Sequence, residues 1–248
     1  MSTVDLFRPF LAPEAAQAAA RVLTPDPETG RAYIGEGPKA AAFEAALGLV
    51  FDADRPILTL NSCTSALDLA LHLCGVGPGD VCISTSMTCS ATNSPIVTRG
   101  ARIAWADVDP VAGLISPESV AAVLRRLRRA GESPKAIVAV DWGGAMCDYN
   151  ALRAVAGTVP IIEDAAHSPL ATYNGRYQTR VGGDWICWSF QAIKHLTTGD
   201  GGALLCPADQ AERARLLRWY GLDRTKGDSY RCQQDIAEVG HKWHMNDV

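Results

Sequence analysis

From residue 56 onward the chain alternates short apolar runs with longer helical spacings, and this alternation constrains the fold more than any other feature. Pro56 to Leu60 is a short apolar run, and Thr64 to Leu73 then carries leucines at 67 and 71 with alanines between, a helical spacing. Gly77-Pro78-Gly79-Asp80 reads as a turn. Further strand-like runs lie at Val81 to Thr85, Arg102 to Val108, Ala136 to Val140, Val159 to Ile162, Trp185 to Phe190 and Ala203 to Cys206. Helices are expected at Ala91 to Thr98, after Ser116, at Tyr149 to Ala156 and, as a long element, at Ala208 to Tyr220; the alanine-rich Ala15 to Ala20 is a further one. Ser116 followed by Pro117 predicts an N-cap with proline at the first helical position, and Val120, Val123, Leu124 and Leu127 share one face of that helix. Strands alternating with helices require right-handed crossovers, so an α/β fold is expected, a three-layer arrangement whose mostly parallel central sheet is covered on both faces.

At 248 residues and 48% hydrophobic composition, the chain can bury a core without a metal or disulfide staple. Its eight cysteines (63, 74, 82, 89, 147, 187, 206 and 232) form no C-x-x-C pair, and several sit within apolar runs, where a thiol behaves as a small hydrophobe. Reduced cytosolic thiols are expected, and no metal site. Net charge is -4, and the densest basic patch, Arg125-Arg126-Leu127-Arg128-Arg129, lies on one expected helix, where a solvated face is a better reading than a nucleic-acid surface. The N-terminal segment carries Asp5 and lacks an uninterrupted apolar stretch, and no apolar run reaches membrane-spanning length. A cytoplasmic protein without nucleic-acid or membrane partners is expected. At the other end, Gly240 to Val248 has no helix stop signal; Met245 to Val248 is expected to open a helix capped by Asn246 or Asp247, in a chain cut off within a longer protein.

In open parallel sheets, ligands bind beyond the carboxyl ends of the strands, and the polar residues collect there. Asn61-Ser62-Cys63-Thr64-Ser65 joins a strand to a helix; its N–H groups and hydroxyls suit an anion, or Ser62 or Thr64 simply caps the helix. Glu163-Asp164-Ala165-Ala166-His167-Ser168 follows the run ending at Ile162; Asp164 suits either a cap or a charged ligand nitrogen, with His167 in reach of the same ligand. Lys194 lies between an apolar strand and the Gly199 to Gly202 turn, five residues after Ser189. A lysine against apolar walls and cationic neighbours is competent for Schiff-base chemistry; taken alone it is as readily a surface lysine.

Taken together, the three segments resemble the DegT/DnrJ/EryC1/StrS sugar aminotransferases, which are fold-type I pyridoxal-phosphate enzymes. The match includes Tyr33-Ile34-Gly35-Glu36-Gly37-Pro38, Phe43-Glu44, Asn61 to Leu67, Thr88 to Asn93, Ala106 to Asp109, Glu163 to Ser168, Ser189 to Gly202 and Gly240 to Val248. The resemblance implies a cofactor-binding large domain over residues 31–248, an N-terminal arm over 1–30, and a small C-terminal domain missing from this chain. It implies pyridoxal 5'-phosphate as cofactor, held by Lys194, with Asp164 on the pyridine nitrogen and His167 on the ring hydroxyl where the family often has glutamine. Thr64, Ser65 and Ser189 would hold the phosphate. Cys89 stands where an aromatic residue usually stacks on the ring, and Asp141 replaces a frequent histidine. Lys242 stands where an asparagine commonly reaches a neighbour's cofactor phosphate.

The activity so implied is transamination of a keto-sugar nucleotide with an amino-acid donor, glutamate or glutamine, by a homodimer, in polysaccharide, lipopolysaccharide or antibiotic-sugar synthesis. Three alternatives are weighed. A sugar dehydratase of the same family carries histidine in place of the lysine, and here His195 only follows Lys194. Another fold-type I lyase or desulfurase fits the Gly35 to Pro38 and Ser189 to Gly202 segments less well. A non-catalytic regulatory relative would be expected to lack Lys194 or Asp164.

Overall fold

The apolar runs assemble into one sheet because most of them can bury every side chain they carry. The structure is a computed structural model that describes residues 9–32, 34–35, 37–223, 234 and 236–248; Tyr33, Glu36, Cys232 and the first eight residues lie outside the described residues. Along the chain come α1 (Ala15–Leu23), α2 (Pro38–Val50), β1 (Ile57–Leu60), α3 (Cys63–Leu73), β2 (Val81–Ser84), α4 (Ser90–Thr98), β3 (Arg102–Trp105), α5 (Pro117–Arg129), β4 (Ala136–Val140) and α6 (Tyr149–Ala156). They are followed by β5 (Ile161–Asp164), a small hairpin of β6 (Thr172–Tyr173) and β7 (Arg176–Tyr177), α7 (Gln178–Val181), β8 (Trp185–Ser189), β9 (Gly202–Leu205) and α8 (Ala211–Leu217). The main sheet has the order β1-β9-β8-β5-β4-β2-β3. Its β2, β3, β4, β5 and β8 pair in parallel, whereas β9 runs antiparallel to both of its neighbours.

Strand β4 shows why two covering layers are needed. Its side chains alternate, so Ala136 and Val138 enter the core under α3 and α4, while Ile137 and Ala139 enter the one under α5 and α6. A third cluster packs Leu47 of α2 and the neighbouring Phe51 against Ile186, Trp188 and Leu205. On α5, Val120, Val123 and Leu127 are buried as the spacing required, and Arg125, Arg126, Arg128 and Arg129 are exposed. Each buried side chain contributes about 1.5–3 kcal/mol. Ser116 caps this helix by accepting from the Ser119 N–H, a contact worth about 1 kcal/mol. No helix among the described residues is long and apolar enough to cross a membrane.

Edge strand β1 is sealed rather than left open. The Glu44 carboxylate on α2 accepts from the Thr59 N–H at 2.8 Å and the Thr59 hydroxyl at 3.0 Å. The buried Arg218 guanidinium donates to Glu44 at 2.5 Å and to the Thr59 carbonyl at 2.9 Å.

Several boundaries differ from the sequence expectation. Strand β5 starts at Ile161 and ends on Asp164, so Glu163 and Asp164 belong to the strand rather than following it. Strand β3 stops at Trp105, level with the end of its partner β2, and Val108 instead bridges Ile115. The expected long helix to Tyr220 ends at Leu217, because the His241 N–H takes the Leu217 carbonyl and Trp219 turns into a bridge with Lys242. Helix α2 was not anticipated. The expected helix opening at Met245 is absent among the described residues: Met245 is buried in the core, and the Asp247 carboxylate accepts from the N–H groups of Gly37, Lys39 and Ala40. Asp247 does cap a helix, but it caps the start of α2.

Candidate active site

Parallel strands deliver their carboxyl ends to one side of the sheet, and a cavity of about 420 Å³ opens there. Thr64, Cys89, Asp164, His167, Ser189 and Lys194 all line it: Asp164 and Ser189 end β5 and β8, Thr64 opens α3 after β1, and Cys89, His167 and Lys194 lie on the segments that follow β2, β5 and β8. The other two residues expected to contact a cofactor, Ser65 and Lys242, do not line this cavity. The Ser65 hydroxyl is turned inward, donating to Asn61 Oδ1 at 2.7 Å and lying 2.9 Å from the Ser62 hydroxyl. Lys242 Nζ rests 4.5 Å from the centre of the Trp219 ring and 3.3 Å from His244 Nε2.

The turn after β1 is shaped to present backbone. Ser62 accepts from the Ser65 N–H at 3.0 Å and caps α3, which leaves the first-turn N–H groups of Cys63 and Thr64 beside the cavity. The positive end of the helix favours an anion there. The residue pressing on this turn from β9 must be glycine: a Cβ on Gly202 would stand 2.4 Å from the Cys63 nitrogen and 2.6 Å from the Ser62 carbonyl oxygen.

Asp164 closes β5 and is buried. Its Oδ2 accepts from the Thr92 hydroxyl at 2.6 Å, and its Oδ1 from the Ala166 N–H at 3.1 Å, with the Cys63 thiol 3.9 Å away. Burial pushes its pKa upward; the Thr92 and Ala166 hydrogen bonds and the charges of His167 and Lys194 pull the other way. Thr92 is itself 2.6 Å from the Thr88 hydroxyl. No sequence signal singles out Thr92; Thr88 precedes α4 and Thr92 lies in its first turn, and the fold brings their hydroxyls together.

His167 sits against the loop that follows β4. The Gly143 N–H donates to its Nδ1 at 3.4 Å, and the Trp142 ring lies 5.4 Å away, tilted by 56°. Burial and the nearby Lys194 charge hold the imidazole below the ordinary histidine range. Trp142 also lines the cavity, where Cys89 supplies no ring. Lys194 is carried on a turn whose N–H bonds the Gln191 carbonyl at 2.9 Å, and the loop is closed where Thr198 N–H and Thr197 Oγ1 both donate to the Phe190 carbonyl, at 3.0 and 3.1 Å.

In the cavity wall, Asp141 is fully buried. It accepts from the Cys147 N–H at 2.9 Å, the Tyr149 hydroxyl at 2.8 Å and the Ser168 hydroxyl at 2.8 Å. The equally buried Glu163 accepts from Gln178 Nε2 at 2.8 Å and the Gly183 N–H at 2.6 Å. Burial and the neighbouring Asp141 push the Glu163 carboxyl well above the carboxylate range. Burial pushes the Asp141 carboxyl upward too, against its hydrogen bonds from Glu163, Cys147, Ser168 and Tyr149, which pull it back down.

A model of the DegT/DnrJ/EryC1/StrS aminotransferase family matches residues 23–248. The chain is 33% identical over 250 residues to the spore coat polysaccharide biosynthesis protein SpsC of Bacillus subtilis (strain 168), a match covering 98% of this chain and 61% of that protein. Among solved structures, sugar aminotransferase CalS13 from Micromonospora echinospora is similar with a TM-score of 0.83 at 33% identity, over 99% of this chain and 65% of that one. Spr1654 from Streptococcus pneumoniae in its PLP-form is similar with a TM-score of 0.83 at 25% identity, over 99% and 64%. The chain thus spans a little over three fifths of the length of each of these relatives.

Proposed function

The chain belongs to the DegT/DnrJ/EryC1/StrS aminotransferase family, and from that footing we propose that it is the cofactor-bearing part of a pyridoxal-phosphate-dependent aminotransferase acting on a keto-sugar nucleotide. The observation that carries this reading is the convergence of three groups on one cavity: the positive start of α3, the buried carboxylate of Asp164 and the amine of Lys194. They fit pyridoxal phosphate, because a desolvated carboxylate in the wall is matched by a protonated ring nitrogen, and the helix start by a phosphate. The cavity volume lies within the usual range for small-ligand sites. The PLP-form of Spr1654 supports the same cofactor here.

When bound, the cofactor supplies an electron-withdrawing ring that stabilises negative charge at the substrate carbon losing its proton. The chain's residues do the rest. Cys63 and Thr64 N–H groups, with the Thr64 and Ser189 hydroxyls, seat the phosphate, while Ser65 supports the turn from behind. Asp164 orients the ring and keeps its nitrogen protonated. His167 donates to the ring hydroxyl, and Cys89 faces the ring. Nζ of Lys194 would hold the cofactor and, as a free amine, would carry the proton to and from the substrate carbon. The donor is glutamate or glutamine, and the acceptor a ketone on a nucleotide-linked hexose. The names of CalS13, a sugar aminotransferase, and SpsC, a polysaccharide biosynthesis protein, support a role in making amino sugars for a polysaccharide.

In this reading residues 31–248 form the large domain, 1–30 an arm, and the protein works as a homodimer in which Lys242 reaches the partner's phosphate. The dehydratase reading gains nothing from His195, which lines a separate apolar hollow with Phe43, Leu47 and Phe51. Borohydride reduction of the cofactor-loaded chain should couple the cofactor to the peptide bearing Lys194. An adduct on Lys39, Lys135 or Lys226 would overturn the site. A Lys194 adduct with no amine transfer to any keto-sugar nucleotide in a broad panel would overturn the reaction.

A further inference from the structure

His167 is an unusual residue to leave beside a cofactor, because a neutral imidazole has two tautomers that differ in which nitrogen donates. The loop after β4 removes that choice. Its Gly143 N–H is a donor and points at Nδ1 from 3.4 Å. A donor there is compatible only with an unprotonated Nδ1, so the ring's proton must sit on Nε2. The loop reaches this position through two residues in the left-handed region, Gly143 at φ 66° and Gly144 at φ 89°. The second passes so close to the next segment that a Cβ on it would stand 3.0 Å from the His167 carbonyl oxygen. The two loops are also tied from both sides. The Trp142 ring lies tilted against the imidazole, its centre 5.4 Å away, and the Ser168 hydroxyl donates to Asp141 at 2.8 Å.

We propose that the Asp141 to Gly144 loop is a positioning device that fixes His167 as its neutral Nε2–H tautomer, a hydrogen-bond donor and never an acceptor toward the cavity. The functional half of this inference rests on the cofactor reading above; the tautomer itself does not. Such a histidine does the work of a glutamine amide, whose N–H₂ can only donate, and this accounts for the loop's two glycines. Burial is the largest influence on the ring and opposes its protonation, as does the Lys194 charge; Asp164 favours protonation, and His195, in the next hollow, adds a smaller opposing influence.

The test has two readouts on the full chain. In ¹⁵N-labelled protein without added cofactor, His167 should show a proton on Nε2 and none on Nδ1, and it should titrate below the ordinary histidine range. A protonated Nδ1, or a mixture of tautomers, overturns the proposal whatever the cofactor reading turns out to be. The second readout is a cycle of variants. Gly144→Ala should push the loop away from His167 and weaken pyridoxal phosphate binding by about tenfold, a typical coupling between groups in contact. With His167→Gln already present, the tautomer no longer exists to be lost, and Gly144→Ala should weaken binding by less than about twofold. Equal losses in both backgrounds would show that the loop acts only as scaffold, and would overturn it. Failure of the cofactor reading would show separately, as absence of the Lys194 adduct.

Discussion

Gly202→Ala asks whether β9 and the turn after β1 are as closely apposed as the structure has them. The new Cβ would lie 2.4 Å from both the Cys63 nitrogen and the Ser62 carbonyl carbon, against ordinary contact beginning at 3.4 Å, so about 1 Å must be found between two stretches of backbone. No rotamer can relieve it. Gly202 is paired on one side with Leu60 and on the other with Ser189, which pins the strand, so the Ser62–Cys63 turn must yield and take the start of α3 with it. Overpacking of this kind costs about 1–3 kcal/mol of stability. A shift of about 1 Å also takes an N–H···O contact out of hydrogen-bond range. Each lost bond to a charged phosphate is worth about 1.5–3 kcal/mol, and one such loss weakens binding by roughly ten- to a hundredfold. Urea denaturation and titration with pyridoxal phosphate, followed in the visible spectrum, measure the two effects. Gly48→Ala is the control: it lies in α2 with open space around it and should be neutral or stabilising by up to about 1 kcal/mol. Wild-type stability together with wild-type cofactor affinity in Gly202→Ala would refute both the close approach and the place given to the phosphate.

Asp164→Asn should retain some cofactor but lose at least roughly 100-fold in turnover, since an amide cannot stabilise a protonated ring nitrogen; single-turnover kinetics with an amino donor would check it. Asp247→Ala should destabilise the chain by about 1–2 kcal/mol in urea denaturation, as expected for loss of a helix cap, with little change in the far-off Asp164 environment. Glu238 is held down to about 2, first by the Arg213 hydrogen bond and also by His72. Its folded value lies below the unfolded one, so its contribution is present above the ordinary carboxylate range and lost as pH falls toward about 2. Glu238→Gln should therefore be less stable than wild type near neutral pH and converge with it in strong acid; a constant gap across the titration would refute the assignment.

The layer architecture was legible because buried parallel strands read as plain apolar runs and the helices between them keep a one-sided spacing. That Lys194 and Asp164 share one cavity was legible only from the three strand-end segments taken together, since each charged group alone reads equally well as a surface lysine or a helix cap. Helix α2 was not legible, since Pro38 to Val50 is apolar on almost every side and so shows no periodic face; its one conspicuous polar residue, Glu44, serves the edge of β1. The reversed direction of β9 could not be read either, because a short apolar strand carries no mark of its orientation. Tertiary contacts overrode local signals at the end of α8, where His241 takes the Leu217 carbonyl, and at Met245 to Val248, where Asp247 turns to the start of α2 at the other end of the sequence. The roles of Ser65 and Asp141 depended on which way a side chain turns, and spacing alone does not determine that.

The antiparallel insertion of β9 also bears on when this protein becomes itself during synthesis. Strand β1 emerges early, but among the described residues the strand it pairs with is β9, and α2, which packs on β1, is capped by Asp247. The middle strands β2 to β5 can pair with one another as soon as they leave the ribosome. The β1 turn, by contrast, must wait as exposed apolar chain until the polypeptide has passed residue 205, and such non-local pairing is the slow part of folding. A nascent chain that stalls before that point would have most of its sheet and no seat for an anion, making the interval between β8 and β9 the stretch in which chaperone capture is most useful.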